Sequence, residues 1–356
     1  MKKNLQFDIP RIAHSPVISA MFAILGNKKN VKPWIMSNFI NIYYNSFTGE
    51  DQFLTRCDFF SECPWLKMCV VDIQQLEALN VSLIDYIKKS VDLGYYVYIV
   101  VKTWYIAAYS KKDFADPTTS HNMLIYGYDD DRKKLCIADH FTNGKYATSE
   151  CGYDELLTSL QHFYKEHPFY YNIIRTFKFK DVYYKFEIEP LKRRLSEYVN
   201  STNVFDSRMK IDPDYGYDGG KEYIYKYVTY RERKEQYYFG LSIYDELKRV
   251  CIADRDIPIR VFQLIVDHKK LMIERIDYLA EVGVLTQPDY DELLMTSKIL
   301  LNESVILRNL VIKLKYEKSL DVNGSSTTVC NKIETIKSIE KKFIERLVYL
   351  LDEKER

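Results

Sequence analysis

The chain has 356 residues, 47% apolar and 28% charged, with 51 Lys+Arg against 50 Asp+Glu for a net charge of +1. That much apolar material excludes a disordered chain, and so even a charge balance gives no global reason to expect nucleic acid or an anionic membrane as partner. The 31 Tyr against 12 Gly and 10 Pro exclude collagen-like and linker-like designs and point to amphipathic, aromatic-lined surfaces.

In chain order, Met1-Lys2-Lys3 is followed by Asn4-Leu5-Gln6-Phe7-Asp8, which is not the apolar run of a signal peptide. His14-Ser15-Pro16 then leads into an apolar run that stops at Gly26. Ser at the N-cap, Pro at the first helical position and Gly beyond the last predict a helix there. Further helices are predicted over 33–44 and 81–93. Residues 95–101 are aromatic and β-branched without a breaker, as in a buried strand. Short strands over 121–126 and 134–138 flank Gly127-Tyr128-Asp129-Asp130-Asp131, which reads as a hairpin turn. A helix over 153–164 and one or two strands within 171–187 follow. A Gly/Asp/Tyr-rich stretch at 212–220 marks a seam. Beyond it, 238–249, 259–282, 289–317 and 332–355 have helical periodicity, with a loop at Asn323-Gly324-Ser325-Ser326. The apolar-rich stretch 95–110 carries Lys102 and is too short to span a bilayer.

The seven Cys, at 57, 63, 69, 136, 151, 251 and 330, are odd in number and scattered. They read as reduced thiols of a cytoplasmic protein. No His pair stands near them at ligand spacing, so neither a metal nor another cofactor is expected.

Three features combine into a candidate site: the helix start at Ser15, His121 opening one strand of the hairpin, and Asp139 closing the other. In a hairpin the start of one strand lies beside the end of its partner, so His121 and Asp139 meet across it. A carboxylate beside an imidazole fixes its tautomer, and a helix N-terminus offers free N–H groups to an anion. Each residue also has a plainer role open to it. Ser15 is a good N-cap, His121 suits a strand end, and Asp139 suits a turn. His14 adjoins the site or is an ordinary turn residue. His268 reads as solvated or interhelical, Asp129–Asp131 as a solvated turn, and Lys192-Arg193-Arg194 as an exposed helix face or a dock for an acidic partner.

The stretches HSPVISAMFAIL, SHNMLIYGYDDDRKKLCIADH, YFGLSIYDEL and DHKKLMIERIDYL resemble the papain-like acyltransferases of natural-product clusters, the grouping typified by the N-terminal domain of the butirosin acyltransferase. The resemblance implies an α+β fold: a papain-like antiparallel sheet with helices over 1–190, then a mainly helical C-terminal domain over 191–356. It implies His121 as general base and acid, Asp139 as its orienting partner, and a nucleophile at position 15. There the sequence departs from the family, which has Cys where this chain has Ser15. Either a cysteine has been replaced, or the serine is native and belongs to a serine acyltransferase or a catalytically silent protein.

The activity implied is amide-bond formation. An acyl group moves from the phosphopantetheine thioester of an acyl or peptidyl carrier protein, through an acyl-enzyme at position 15, to a small amine or diamine acceptor. A peptidase or thioester hydrolase on the same frame, and a non-catalytic binding protein of the same fold, are the alternatives. Product partition separates the first two: amide when an amine is supplied, free acid regardless of it.

Overall fold

A computed structural model describes all residues except Asn27, 54–62, 112–113, 167–172, 205–233, 254–256, 317–321 and 355–356. The chain is mixed α+β, and it divides into two compact units. Met1–Val31 and Phe59–Tyr183 form the first; Lys32–Asp58 and Tyr184–Arg356 form the second. These units differ from the expected division at 190 in two respects: the boundary falls after Tyr183, and 32–58 groups with the C-terminal unit. The predicted seam at 212–220 and Cys57 lie outside the described residues.

The first unit holds strands β1 (Lys2–Asn4), β4 (Leu66–Asp72), β5 (Tyr96–Lys102), β6 (Ser120–Asp129), β7 (Lys134–Thr142), β8 (Lys145–Gly152) and β9 (Ile173–Phe179). They form one antiparallel sheet in the order β4-β9-β5-β6-β7-β8, with β1 pairing β6. Helix α1 (Pro16–Leu25) packs against β6 and β7; α3 (Ile73–Ala78), α4 (Leu83–Asp92) and α5 (Tyr153–Glu166) also belong to this unit. Alternate residues of the central strands, Val97, Ile99 and Val101 of β5, Met123 and Ile125 of β6 and Leu135 and Ile137 of β7, enter one core with Ile87 and Val91 of α4 and Leu156 and Leu160 of α5. Each such aliphatic side chain contributes roughly 1.5–3 kcal/mol on burial. The α4 start follows its sequence, with the Ser82 hydroxyl accepting from Asp85 N–H.

The hairpin turn is shorter than expected. Gly127 lies inside β6, at a register shift against β7, and pairs with Asn4 of β1. A Cβ on Gly127 would stand 2.7 Å from the Lys3 carbonyl oxygen, so glycine serves a close strand approach there and not a bend.

The second unit contains β2 (Ile42–Asn45), β3 (Asp51–Phe53) and β10 (Tyr237–Phe239), paired in the order β10-β2-β3. Its helices are α2 (Lys32–Asn38), α6 (Ile188–Val199), α7 (Ser242–Ile252), α8 (Ile259–Glu281), α9 (Gln287–Tyr316) and α10 (Val322–Lys354). The helix expected over 33–44 therefore ends at Asn38, and its aromatic tail becomes β2. The expected loop at 323–326 is helical backbone within α10. Fully buried Arg275 of α8 donates to the carbonyls of Met36 and Phe39 at 2.7 and 2.8 Å. A cation closing the C-terminal carbonyls of α2 is a favourable cap.

Candidate active site

Ser15 is the N-cap residue of α1, with extended backbone, and Pro16 is the first helical residue. Its carbonyl accepts the Ser19 N–H at 2.9 Å and the Ser19 hydroxyl at 2.8 Å. Its own hydroxyl caps nothing. The residue is 3% exposed and Oγ has no hydrogen-bond partner, an arrangement that costs about 1–3 kcal/mol. Helix stability alone does not account for a serine placed this way.

His121 and Asp139 meet as expected. The β6–β7 register pairs Leu124 with Ala138, which puts His121 one diagonal step from Asp139. His121 Nδ1 lies 2.5 Å from Asp139 Oδ2. Asp139 is fully buried, whereas the His121 side chain is 23% exposed. The Tyr109 hydroxyl donates to the same Oδ2 at 2.5 Å, and His140 Nδ1 stands 3.4 Å from Oδ1. Burial pushes the Asp139 pKa up, but the hydrogen bonds from His121, His140 and Tyr109 and the His121 charge outweigh it, leaving the carboxyl below its ordinary value. The ionised carboxylate accepts only, so Nδ1 of His121 carries the proton of that hydrogen bond and Nε2 is the ring nitrogen left for other partners. Burial and the neighbouring Asp139 raise the Tyr109 pKa well above its ordinary value, so this phenol stays a donor.

Helix start and histidine–carboxylate pair belong to the same unit and are joined through His140, whose Nε2 lies 2.7 Å from the Ala13 carbonyl. Phe114 and Tyr109 rings stand edge-on to His121, at centroid distances of 5.7 and 6.2 Å. The site thus has an imidazole oriented by a buried anion, an aromatic surround, and a helix N-terminus with a buried hydroxyl. Ser15 Oγ forms no hydrogen bond to His121.

Tyr109 and His140 are site residues the sequence does not announce. Strand alternation turns residue 140 away from 139; the β7–β8 ladder shifts register just after His140, where that rule weakens. The cysteines offer no rival nucleophile in Cys63, Cys151 or Cys251, whose thiols burial pushes up to about 12.

Most of the other singled-out groups have structural partners. Lys192 pairs with Glu189 and Asp352 at 2.6 and 3.0 Å, and Arg194 donates to Pro190 O at 3.2 Å, whereas Arg193 is exposed. Asp129 and Asp130 pair with Lys2 and Lys88. His14 is 6% exposed beside Ser15. Among the described residues, no group of three or more His, Cys, Asp or Glu is placed to hold a metal ion, and no helix is long and apolar enough to cross a membrane. Compared with known protein families the chain gives no match, and compared with curated proteins it gives none.

Proposed function

We propose that the chain is a papain-like acyltransferase that forms an amide by moving an acyl group from a carrier-protein thioester to a small amine. The observation that carries the reading is the fully buried Asp139 holding His121 Nδ1, with Tyr109 on the same oxygen, beside a helix whose N-cap hydroxyl is buried and does not cap. His121 Nε2 takes the proton of residue 15 as its oxygen, or the sulfur of a cysteine in its place, attacks the thioester carbonyl. The C–S bond to the carrier breaks, and the departing thiolate takes the proton from His121. The acceptor amine then attacks the acyl-enzyme, and its proton passes through His121 to residue 15. Thioester to amide is downhill, so no ATP is consumed. A serine hydroxyl ionises far less readily than a thiol, so the serine form is the slower.

One observation favours a second reading. Ser15 Oγ is not bonded to His121, as expected of a binding protein that kept the frame without the chemistry. Intact-protein mass spectrometry with acyl-loaded carrier protein decides between them. The acyltransferase predicts an acyl adduct on the Ser15→Cys chain that is lost on His121→Ala, with amide as product when an amine is supplied. Free acid as the sole product indicates the hydrolase, and no adduct on either form indicates the binding protein.

A further inference from the structure

We propose that the second unit carries a binding site for a small organic amine in its ammonium form, in a pocket between its three-stranded sheet and α7. The proposal stands independently of the acyl-transfer reading, whose site residues belong to the first unit. The pocket has a volume of about 460 Å³, and Tyr44, Phe47, Gln236, Tyr238, Glu246 and Arg249 are among the residues that line it. Strand register builds one wall. Tyr238 of β10 pairs with Tyr44 of β2, which pairs with Asp51 of β3, so the three side chains stand in a row on one face. Tyr43 turns to the other face, where it packs with Val204 and Phe239. After β2, Phe47 is left 58% exposed, an apolar surface that gains from an organic cover. Helix α7 supplies Glu246, which is buried and accepts from Nε and Nη2 of Arg249 at 2.6 Å each.

Charge decides the class of ligand. The lining carries two carboxylates, Glu235 and Glu246, against the one guanidinium of Arg249. Arg249 already spends on Glu246 the bidentate fork that would clamp an anion. One place along the row, the buried Asp51 carboxylate accepts no hydrogen bond, and its counter-ion Arg260 stands 3.3 Å away with its side chain mostly in solvent. The tyrosines report the sign of the resulting field. Burial, Glu246 and Asp51 push the Tyr44 pKa up to about 12 against a smaller opposing effect of Arg249, and burial and Glu246 raise that of Tyr238. A field that resists a phenolate favours a cation. Tyr44, Tyr238 and Phe47 add aromatic surface, on which an ammonium gains further. The side-chain oxygen of Gln236 is buried and receives no hydrogen bond, an acceptor that an ammonium N–H satisfies.

Three probes of one shape and different charge test the site: benzylammonium, benzyl alcohol and benzoate, each titrated into the full chain and followed by ligand-observed NMR at neutral pH. Benzylammonium is expected to bind, with benzyl alcohol roughly tenfold weaker and benzoate weaker still. Equal affinity for the alcohol, tighter binding of benzoate, or no binding of any probe at millimolar concentration overturns the proposal. Two variants then place the ligand. Phe47→Ala removes an exposed ring and is expected to weaken benzylammonium roughly threefold to tenfold with the urea unfolding curve unchanged. Unchanged affinity in that variant puts the ligand elsewhere and overturns the assignment. Glu246→Gln removes one anion and releases the Arg249 fork, so the preference is expected to turn toward benzoate. A folded Glu246→Gln chain that keeps the full preference for benzylammonium also overturns it, and if that variant does not fold, Phe47→Ala decides.

Discussion

Each unit places a histidine beside a carboxylate and tyrosine hydroxyls, and the two clusters sit in opposite settings. In the second, Glu340 of α10 accepts from Lys269 of α8, from the Tyr198 hydroxyl at 2.9 Å and from the Tyr244 hydroxyl at 2.7 Å. His268 stacks on Tyr198 at 4.6 Å. None of these five residues is more than 1% exposed. Burial, with Lys269 and Arg275 adding to it, drives the His268 pKa well below its ordinary value. That ring stays neutral and sealed, and the cluster links α6, α7, α8 and α10. His121 shares the chemistry but is 23% exposed. Contact with a carboxylate alone thus does not single out a proton-transfer site; what sets His121 apart is a sealed orienting anion with a ring that reaches outward, and the proposed chemistry rests on that difference.

The sharpest break of this comparison is Asp139→Asn in the Ser15→Cys chain. The amide removes the anion and favours the wrong ring tautomer, so acylation followed by mass spectrometry should fall on the order of a thousandfold or more; a loss below about tenfold would erase the distinction between the clusters. Glu340→Ala leaves Lys269 buried without its partner and should cost about 3–5 kcal/mol in urea unfolding. Replacing Lys269 and Glu340 together by Met should cost less than Glu340→Ala alone, because neither charge is then stranded.

A smaller effect concerns Asp51 of β3, whose side chain is fully buried and lies 3.3 Å from Arg260. Burial pushes its pKa up to about 6, against the Arg260 charge and with Glu50 adding to it. The folded state therefore holds this proton more tightly than the unfolded chain does. Its penalty is absent below the ordinary carboxyl pKa near 4, grows as pH rises toward 6, and is complete above that. Asp51→Asn should raise stability by on the order of 2 kcal/mol at pH 8 and change little at pH 3, as read from thermal or urea unfolding at both pH values. Smallest is Ser15→Ala. Loss of a working N-cap costs about 1 kcal/mol, whereas removing a hydroxyl that caps nothing should change the melting temperature little or raise it slightly. A full capping loss would make Ser15 an ordinary helix start.

Local signals read well where local chemistry decides. Ser15, Pro16 and Gly26 bracket α1, the unbroken run at 95–101 is β5, and the pairing of His121 with Asp139 follows from their places in one hairpin. Partners distant in sequence are where reading fails. Gly127 looks like a turn residue because nothing near it reveals that β1 lies against it. Residues 42–45 continue a helical-looking run, but they pair with 51–53 and 237–239 and become a strand. Tyr109 is hidden in an apolar stretch, and its role exists only once Asp139 is folded beside it. His268 permits either a wet or an interhelical place by its pattern; only packing shows the second.

The excursion of residues 32–58 into the second unit has a consequence for biosynthesis. Tyr43 of β2 pairs with Phe239 of β10, a partner that leaves the ribosome roughly two hundred residues later, on the order of ten to forty seconds at ordinary elongation rates. Throughout that interval Trp34, Ile35 and Phe39, buried in the finished protein, wait without their C-terminal cover. Nascent chains stalled before residue 237 should therefore be the forms that chaperones hold.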